Sequence, residues 1–285
     1  MEVRTGAFEV RARGISRFDF RDPYHGALTA GWPLFLTVLF GLELAINLVF
    51  AELYLLRPGS IANARPGAFG DAFFFSIETL ATVGYGAMSP ATLYGHVIST
   101  LEIFCGMAFM ALATGLTFVR FSRPRAKFLY AETAVVGPIN GRPSLMVRVA
   151  NGRRQVLTNA RATLTVMLIE RTTEGTSFRR SYDLPLVRSR LPIFGLTWTV
   201  MHELGPDSPL HDLDARALAA QDARLLLSVS ARDPALAAEV HDTQDYPPAK
   251  VLFGMRYADA MVTDENGRTL ADLRLISEVE PAAVT

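Results

Sequence analysis

Apolar residues in the first half of the chain come in long runs, and in the second half in short ones. Residues 31–56 read GWPLFLTVLFGLELAINLVFAELYLL. A run of this length predicts a tilted helix that crosses a bilayer. Trp32 and Tyr54 lie near its ends, where amphipathic rings favour the membrane interface. Residues 97–121, VISTLEIFCGMAFMALATGLTFVRF, predict a second span. Between them lies DAFFFSIETLAT, residues 71–82. As a helix this piece covers roughly 18 Å, too little to cross about 30 Å of hydrocarbon. It predicts a re-entrant helix that enters and leaves on one side.

Beyond residue 121 the runs shorten to SLMVRVAN, ATLTVMLIE, LTWTV, RLLLSVSA and RTLADLRL. Turn signals such as Asn140-Gly141 and Asn266-Gly267 separate them, the pattern of a strand-rich domain. DLDARALAA, residues 212–220, predicts one short helix. Asp22-Pro23 predicts another at 23–30, a cap followed by a first-turn proline. Three regions follow: 1–30, 31–121 and 122–285.

Basic residues set the orientation. Arg11, Arg13, Arg17 and Arg21 precede the first span, and Arg120, Arg123, Arg125 and Lys127 follow or close the second. The loop between holds only Arg57 and Arg65. Both termini are therefore expected in the cytoplasm, with the half-length helix dipping in from outside. The formal charge of zero gives no reason to expect a nucleic-acid partner. The single cysteine, Cys105, rules out a disulfide framework within one chain, and its apolar setting suggests a packing role. The charged first thirty residues lack the apolar core of a secretory signal. No nucleotide loop, paired-cysteine zinc motif or serine elbow is present. His202-Glu203 starts like a zincin helix, but position 206 is Pro206. His211, Asp212 and Asp214 read as a helix-start turn rather than a metal site. No enzyme and no cofactor are expected.

Directly after the half-length helix comes Thr82-Val83-Gly84-Tyr85-Gly86. It matches the TVGYG filter motif of potassium channels. A dehydrated cation needs oxygens in place of its water, and backbone carbonyls supply them if successive ones face the same way. Gly84 and Gly86 permit the left-handed conformations that this requires. Val83 and Tyr85 then turn outward, and the Thr82 hydroxyl adds an inner oxygen ring. One strip cannot surround an ion, whereas identical strips around a closed four-fold axis can. The expectation is a homotetramer with K+ as permeant ion and Glu78 as support behind the filter. Glu43 and Asn47 lie one turn apart in the first span; as an intramembrane acid Glu43 is a functional candidate, with a protein-facing group, hydrogen-bonded or protonated, as the favoured reading.

The sequence resembles the prokaryotic inward-rectifier potassium channels from about Asp22 to the 270s. The likeness rests on FFFSIETLATVGYG, ATGLTFVRFSRPRAK, NGRPSLMVRVAN and LVRSRLPIFGLTWTVMHE with the later SPL. It implies an α+β multidomain membrane protein. A two-transmembrane-helix pore domain with re-entrant pore helix and filter stands on a cytoplasmic immunoglobulin-like β-sandwich. It further implies a constriction at Phe118, with Thr114 and Met110 on the same face. The position matching the acid of strong rectifiers is the neutral Met110, so Mg2+ or polyamines are expected as weak blockers. Glu102 is a candidate cavity acid, and Asn159 and Asp264 are candidate vestibule residues. Residues 23–30 correspond to an interfacial slide helix. Arg120, Arg123, Arg125 and Lys127 are candidate contacts for anionic lipid. A bacterial inner membrane location follows from the same likeness. Ala87 departs from the GYGD usual in prokaryotic filters, and Gly205-Pro206 from the acidic pair before SPL. A poorly selective ligand-gated cation channel on the same scaffold, and a membrane-anchored sensor without transport, stay open at this point.

Overall fold

A computed structural model describes residues 2–5, 8–11, 22–263 and 269–282. Arg13, Arg17, Arg21, Asp264, Asn266 and Gly267 lie outside the described residues. The chain forms two compact units, one of residues 16–123, the other of residues 124–285 with the first fifteen. The latter unit carries the paired strands β1 (Glu2–Thr5) and β2 (Phe8–Arg11).

The first unit begins with α1 (Pro23–Thr29), where the Asp22 carboxylate accepts the His25 N–H at 2.9 Å and proline takes the first turn. α2 (Trp32–Leu55) follows, then the short strand β3 (Ile61–Ala62), α3 (Phe69–Leu80), β4 (Ser89–Pro90) and α4 (Leu93–Phe121). At 1.5 Å per residue, α2 and α4 measure about 36 and 43 Å and α3 about 18 Å. α4 starts four residues before its apolar run, because the Thr92 hydroxyl caps it by accepting the Gly95 N–H at 3.1 Å. Only 22% of the most apolar stretch of either long helix is buried within the chain. A core helix of a soluble domain would hide most of that stretch; these present it to lipid or to other chains. Cys105 is exposed on α4 rather than packed inside the chain.

The second unit is a two-sheet sandwich, as the likeness implied. Its strands are β5 (Phe128–Tyr130), β6 (Ala134–Ile139), β7 (Arg142–Asn151), β8 (Leu157–Arg171), β9 (Ser177–Leu184), β10 (Arg190–Phe194), β11 (Thr197–Glu203), β12 (Arg224–Asp233), β13 (Ala238–Tyr246) and β14 (Val251–Phe253). One sheet runs β10-β8-β12-β13, with β9 also on β8; the other runs β11-β7-β6-β14, with β5 also on β7. The pairings are antiparallel except β14 with β6. Alternate residues of each sheet point inward, so Leu145 and Val147 of β7 meet Leu164 and Val166 of β8 and Leu227 of β12, all at most 1% exposed. Asn140 and Gly141, with φ of 50° and 76°, close the β6–β7 hairpin, the two-residue turn that strand twist favours. The short helix α5 (Ala215–Ala220) is capped by Asp214, which accepts the Ala217 N–H at 2.8 Å. No metal-binding group of His, Cys, Asp or Glu forms among the described residues.

RTLADLRL is not one strand. β15 (Met255–Tyr257), β16 (Met261–Thr263), β17 (Thr269–Ala271) and β18 (Val279–Pro281) are short pieces, and residues 273–275 form a single helical turn. The Asp272 carboxylate accepts the Arg274 N–H at 3.0 Å and pairs with its guanidinium. A side chain that bonds its own backbone two residues on closes a turn and ends the strand.

Candidate functional site

α3 is amphipathic, and its Ala72, Phe75 and Leu80 are buried. The Phe75 ring meets Tyr54 of α2 at 5.1 Å between centroids. The helix ends where the chain straightens into residues 82–86. There Glu78 matters through its carbonyl, which accepts the N–H of Val83 at 2.9 Å and of Gly84 at 3.3 Å. The Glu78 carboxylate hydrogen-bonds no group among the described residues. Thr82, Gly84 and Gly86 have φ of 56°, 54° and 83°. Left-handed residues at alternate positions let successive carbonyls of an extended strip face one side. The left-handed conformation of the two glycines was legible; that of Thr82 was not, since a β-branched residue rarely adopts such a φ. Strain of this kind is found where function requires it. Val83 and Tyr85 are 53% and 77% exposed within one chain, so no wall of the same chain braces them.

Below the strip, α3 and α4 enclose a concavity lined by Leu80, Thr82, Gly106, Met110, Thr114 and Phe118, among others. Met110, Thr114 and Phe118 thus share one face of α4 with the inner end of the strip. Met110 and Phe118 are 53% and 70% exposed in the chain. Gly106 lets α4 approach closely, since a Cβ there would sit 2.1 Å from the Leu80 carbonyl oxygen.

Glu102 does not face this concavity, contrary to expectation. It is fully buried. Tyr54 Oη donates to its Oε2 at 2.7 Å, and the Ser76 hydroxyl donates to its Oε1. The reason is helical phase: eight residues turn a helix about 80° beyond two whole turns, so Glu102 points behind α3 while Met110 points into the concavity. Asn47 joins this cluster, its Oδ1 lying 3.0 Å from the Ser76 hydroxyl. Its Nδ2 donates to the Glu43 carbonyl at 2.9 Å, not to the Glu43 carboxylate. The cluster therefore ties α2, α3 and α4 together through Tyr54, Ser76 and Glu102. The sequence presents Tyr54 only as an interfacial ring, and no local signal pairs it with residues 22 and 48 positions away.

The basic residues divide into two groups. The Arg120 guanidinium donates to the carbonyls of Ala27 and, at 2.7 Å, of Ala30. It also lies 4.8 Å from the Trp32 ring centroid and 4.3 Å from that of Phe35. Arg123 donates to the Leu28 carbonyl at 3.3 Å. Both satisfy the open carbonyls at the end of α1. Arg125 and Lys127 are exposed and belong to the sandwich unit. Asn159 is exposed on β8 with φ 51°, where the pairing with β12 slips by one residue; asparagine suits such a bulge. Asp264 lies outside the described residues.

Two membrane-length helices flanking a half-length one, with an exposed strip of backbone at its end, define the pore unit of an ion channel. Comparison with known proteins narrows the class. Residues 31–123 match the model of the family described as "Ion channel". Residues 128–284 match that described as "Inward rectifier potassium channel C-terminal domain". The chain is 39% identical over 275 residues to the inward rectifier potassium channel Kirbac3.1 of Paramagnetospirillum magnetotacticum, covering 96% of this chain and 93% of that one. It is 28% identical over 251 residues to the ATP-sensitive inward rectifier potassium channel 10 of Mus musculus, covering 80% of this chain and 64% of that one. With ATP-sensitive inward rectifier potassium channel 15 of Homo sapiens it shares 24% identity over 239 residues, 79% of this chain and 64% of that one. The chain belongs to the inward rectifier potassium channel family. It is a transmembrane potassium channel of this family, and its relatives are channels rather than enzymes.

Proposed function

We propose that four copies of the chain surround one pore and pass K+ in preference to Na+ through the carbonyls of residues 82–86. The carrying observation is the alternation of left-handed residues at Thr82, Gly84 and Gly86, on a strip with no hydrogen-bonded strand beside it among the described residues. Backbone of this kind is tolerated at membrane depth only where it lines a wet cavity or meets protein. Other copies and a row of ions supply both. Four Phe118 rings form the inner constriction, and closing it empties the pore of water. Met110 leaves the cavity wall uncharged, and with Glu102 turned behind α3 rectification by Mg2+ or polyamines is weak. Both termini lie in the cytoplasm, by the placement of basic residues, and the membrane is a bacterial inner membrane, by the likeness to the prokaryotic members of the family.

Anionic lipid regulates the channel. Arg125 and Lys127, exposed within six residues of the end of α4, are the charges available to it, while Arg120 and Arg123 are engaged with α1. The test is flux from purified protein in liposomes. Rb+ uptake exceeding Na+ uptake and blocked by Ba2+ is expected, and uptake changes with the fraction of anionic lipid. Equal Rb+ and Na+ uptake would favour the poorly selective channel instead; identical uptake in neutral and anionic vesicles would remove the lipid role alone.

A further inference from the structure

We propose that Asn63 is a positioning residue for the conducting strip, holding its outer end through the Ala87 carbonyl. The inference rests on the conduction reading above. Within the chain, and among the described residues, residues 83–87 have two hydrogen-bonded anchors. The inner one is the Glu78 carbonyl, which holds the N–H groups of Val83 and Gly84. The outer one is Asn63 Nδ2, which donates to the Ala87 carbonyl at 2.9 Å. Between them Tyr85 and Gly86 are slung without a bond to the rest of the chain.

The loop that carries Asn63 is fixed on both sides. Before it, β3 pairs with β4 through Ile61–Pro90 and Ala62–Ser89. The Ser60 carbonyl accepts the Ala91 N–H at 2.8 Å. Gly95 packs so closely that a Cβ there would lie 2.3 Å from the same Ser60 oxygen. After Asn63, the Arg65 N–H and guanidinium both reach the Asp71 carboxylate, at 2.8 and 2.9 Å, which ties the loop to the first turn of α3. Asn63 itself takes φ 61°, a conformation that asparagine tolerates better than most residues. The loop is thus held to the start of α3 and to the approach to α4, and the Asn63 amide extends that hold to the residue after Gly86. Ala87 has no polar side chain to do so itself. Carbonyls lining an ion path repel one another when an ion leaves. Gly86 resists rotation least, so a donor that fixes the next carbonyl keeps the strip in its conducting form.

Two substitutions separate the amide from the backbone it rides on. Asn63→Gly keeps the left-handed turn and removes the donor. Asn63→Asp keeps the shape and sets an acceptor against the Ala87 carbonyl. Full-length parent and variants are compared in liposomes for Rb+ against Na+ uptake, at low and high external K+. Both variants are expected to elute at the parent's size and to lose roughly two- to tenfold in Rb+-over-Na+ preference, the range of one neutral hydrogen bond. The loss should shrink at high external K+, because bound ions hold the strip open. A purely structural role would lower yield or thermal stability and leave the preference and its K+ dependence unmoved. Unchanged preference in both variants would overturn the proposal while leaving K+ conduction intact. A parent that takes up Rb+ and Na+ alike would overturn the conduction reading, and this proposal with it.

Discussion

Gly84 and Gly86 have open space around them within the chain: a Cβ at either would meet nothing within 4 Å. The objection to a side chain there is conformational, since φ is 54° and 83° and an L-residue in that region costs about 1–2 kcal/mol. Gly84→Ala is therefore expected to leave the chain folded and to abolish preferential Rb+ uptake, read as the Rb+-to-Na+ ratio in liposomes. Met110 offers the opposite experiment, a gain. It lines the same concavity as Thr82, so in the proposed four-fold pore Met110→Asp sets a ring of carboxylates in the path of cations. Steep spermine block at positive voltage is expected in Met110→Asp and not in the parent. Glu102→Gln should leave spermine block unchanged, because Glu102 is buried behind α3. The residue types of the strip made it legible, since glycine and aligned carbonyls are local requirements. The side of α4 on which Glu102 falls was not legible, because it depends on which face of the helix meets α3.

α3 and α4 meet at a point that two glycines of α4 distinguish. By residue type, Gly106 and Gly115 have equal claim to permit close packing or bending of the helix. The structure separates them: a Cβ at Gly106 would lie 2.1 Å from the Leu80 carbonyl oxygen, whereas one at Gly115 meets nothing within 4 Å. Gly106→Ala must push α4 away from the end of α3, and overpacking of this kind costs about 1–3 kcal/mol. Loss of the assembled form on mild heating in detergent, followed by gel filtration, is the expected result. Gly115→Ala should match the parent in the same assay. The helices themselves were legible to within a few residues, because length and apolarity decide them. Tertiary partners were not: the Tyr54–Glu102–Ser76 cluster joins three helices, and Arg120 reaches back to the carbonyls of Ala27 and Ala30. In the sandwich, short apolar runs set off by turn signals marked β7, β8, β11 and β12. The run RTLADLRL misled in its later part, because the strand ends at Ala271 and the local bond between the Asp272 carboxylate and the Arg274 N–H closes a turn after it.

Everything above the single chain turns on how many strips share one ion. A lone strip leaves Val83 and Tyr85 exposed and offers a cation oxygens from one side only. Closed rotational symmetry removes both defects, and the number of copies is measurable without a picture of the complex. Gly84→Ala supplies the probe, because it disables a strip without touching the α3–α4 packing. If four strips are needed and chains mix at random, equal amounts of parent and Gly84→Ala leave about one-sixteenth of pores without a damaged strip. Selective Rb+ uptake should fall to that fraction of the parent's at equal total protein. A two-fold assembly would leave about one-quarter, and independent chains about one-half. Varying the mixing ratio gives the exponent directly, and an exponent below four would rule out the four-fold pore on which the reading of residues 82–86 depends.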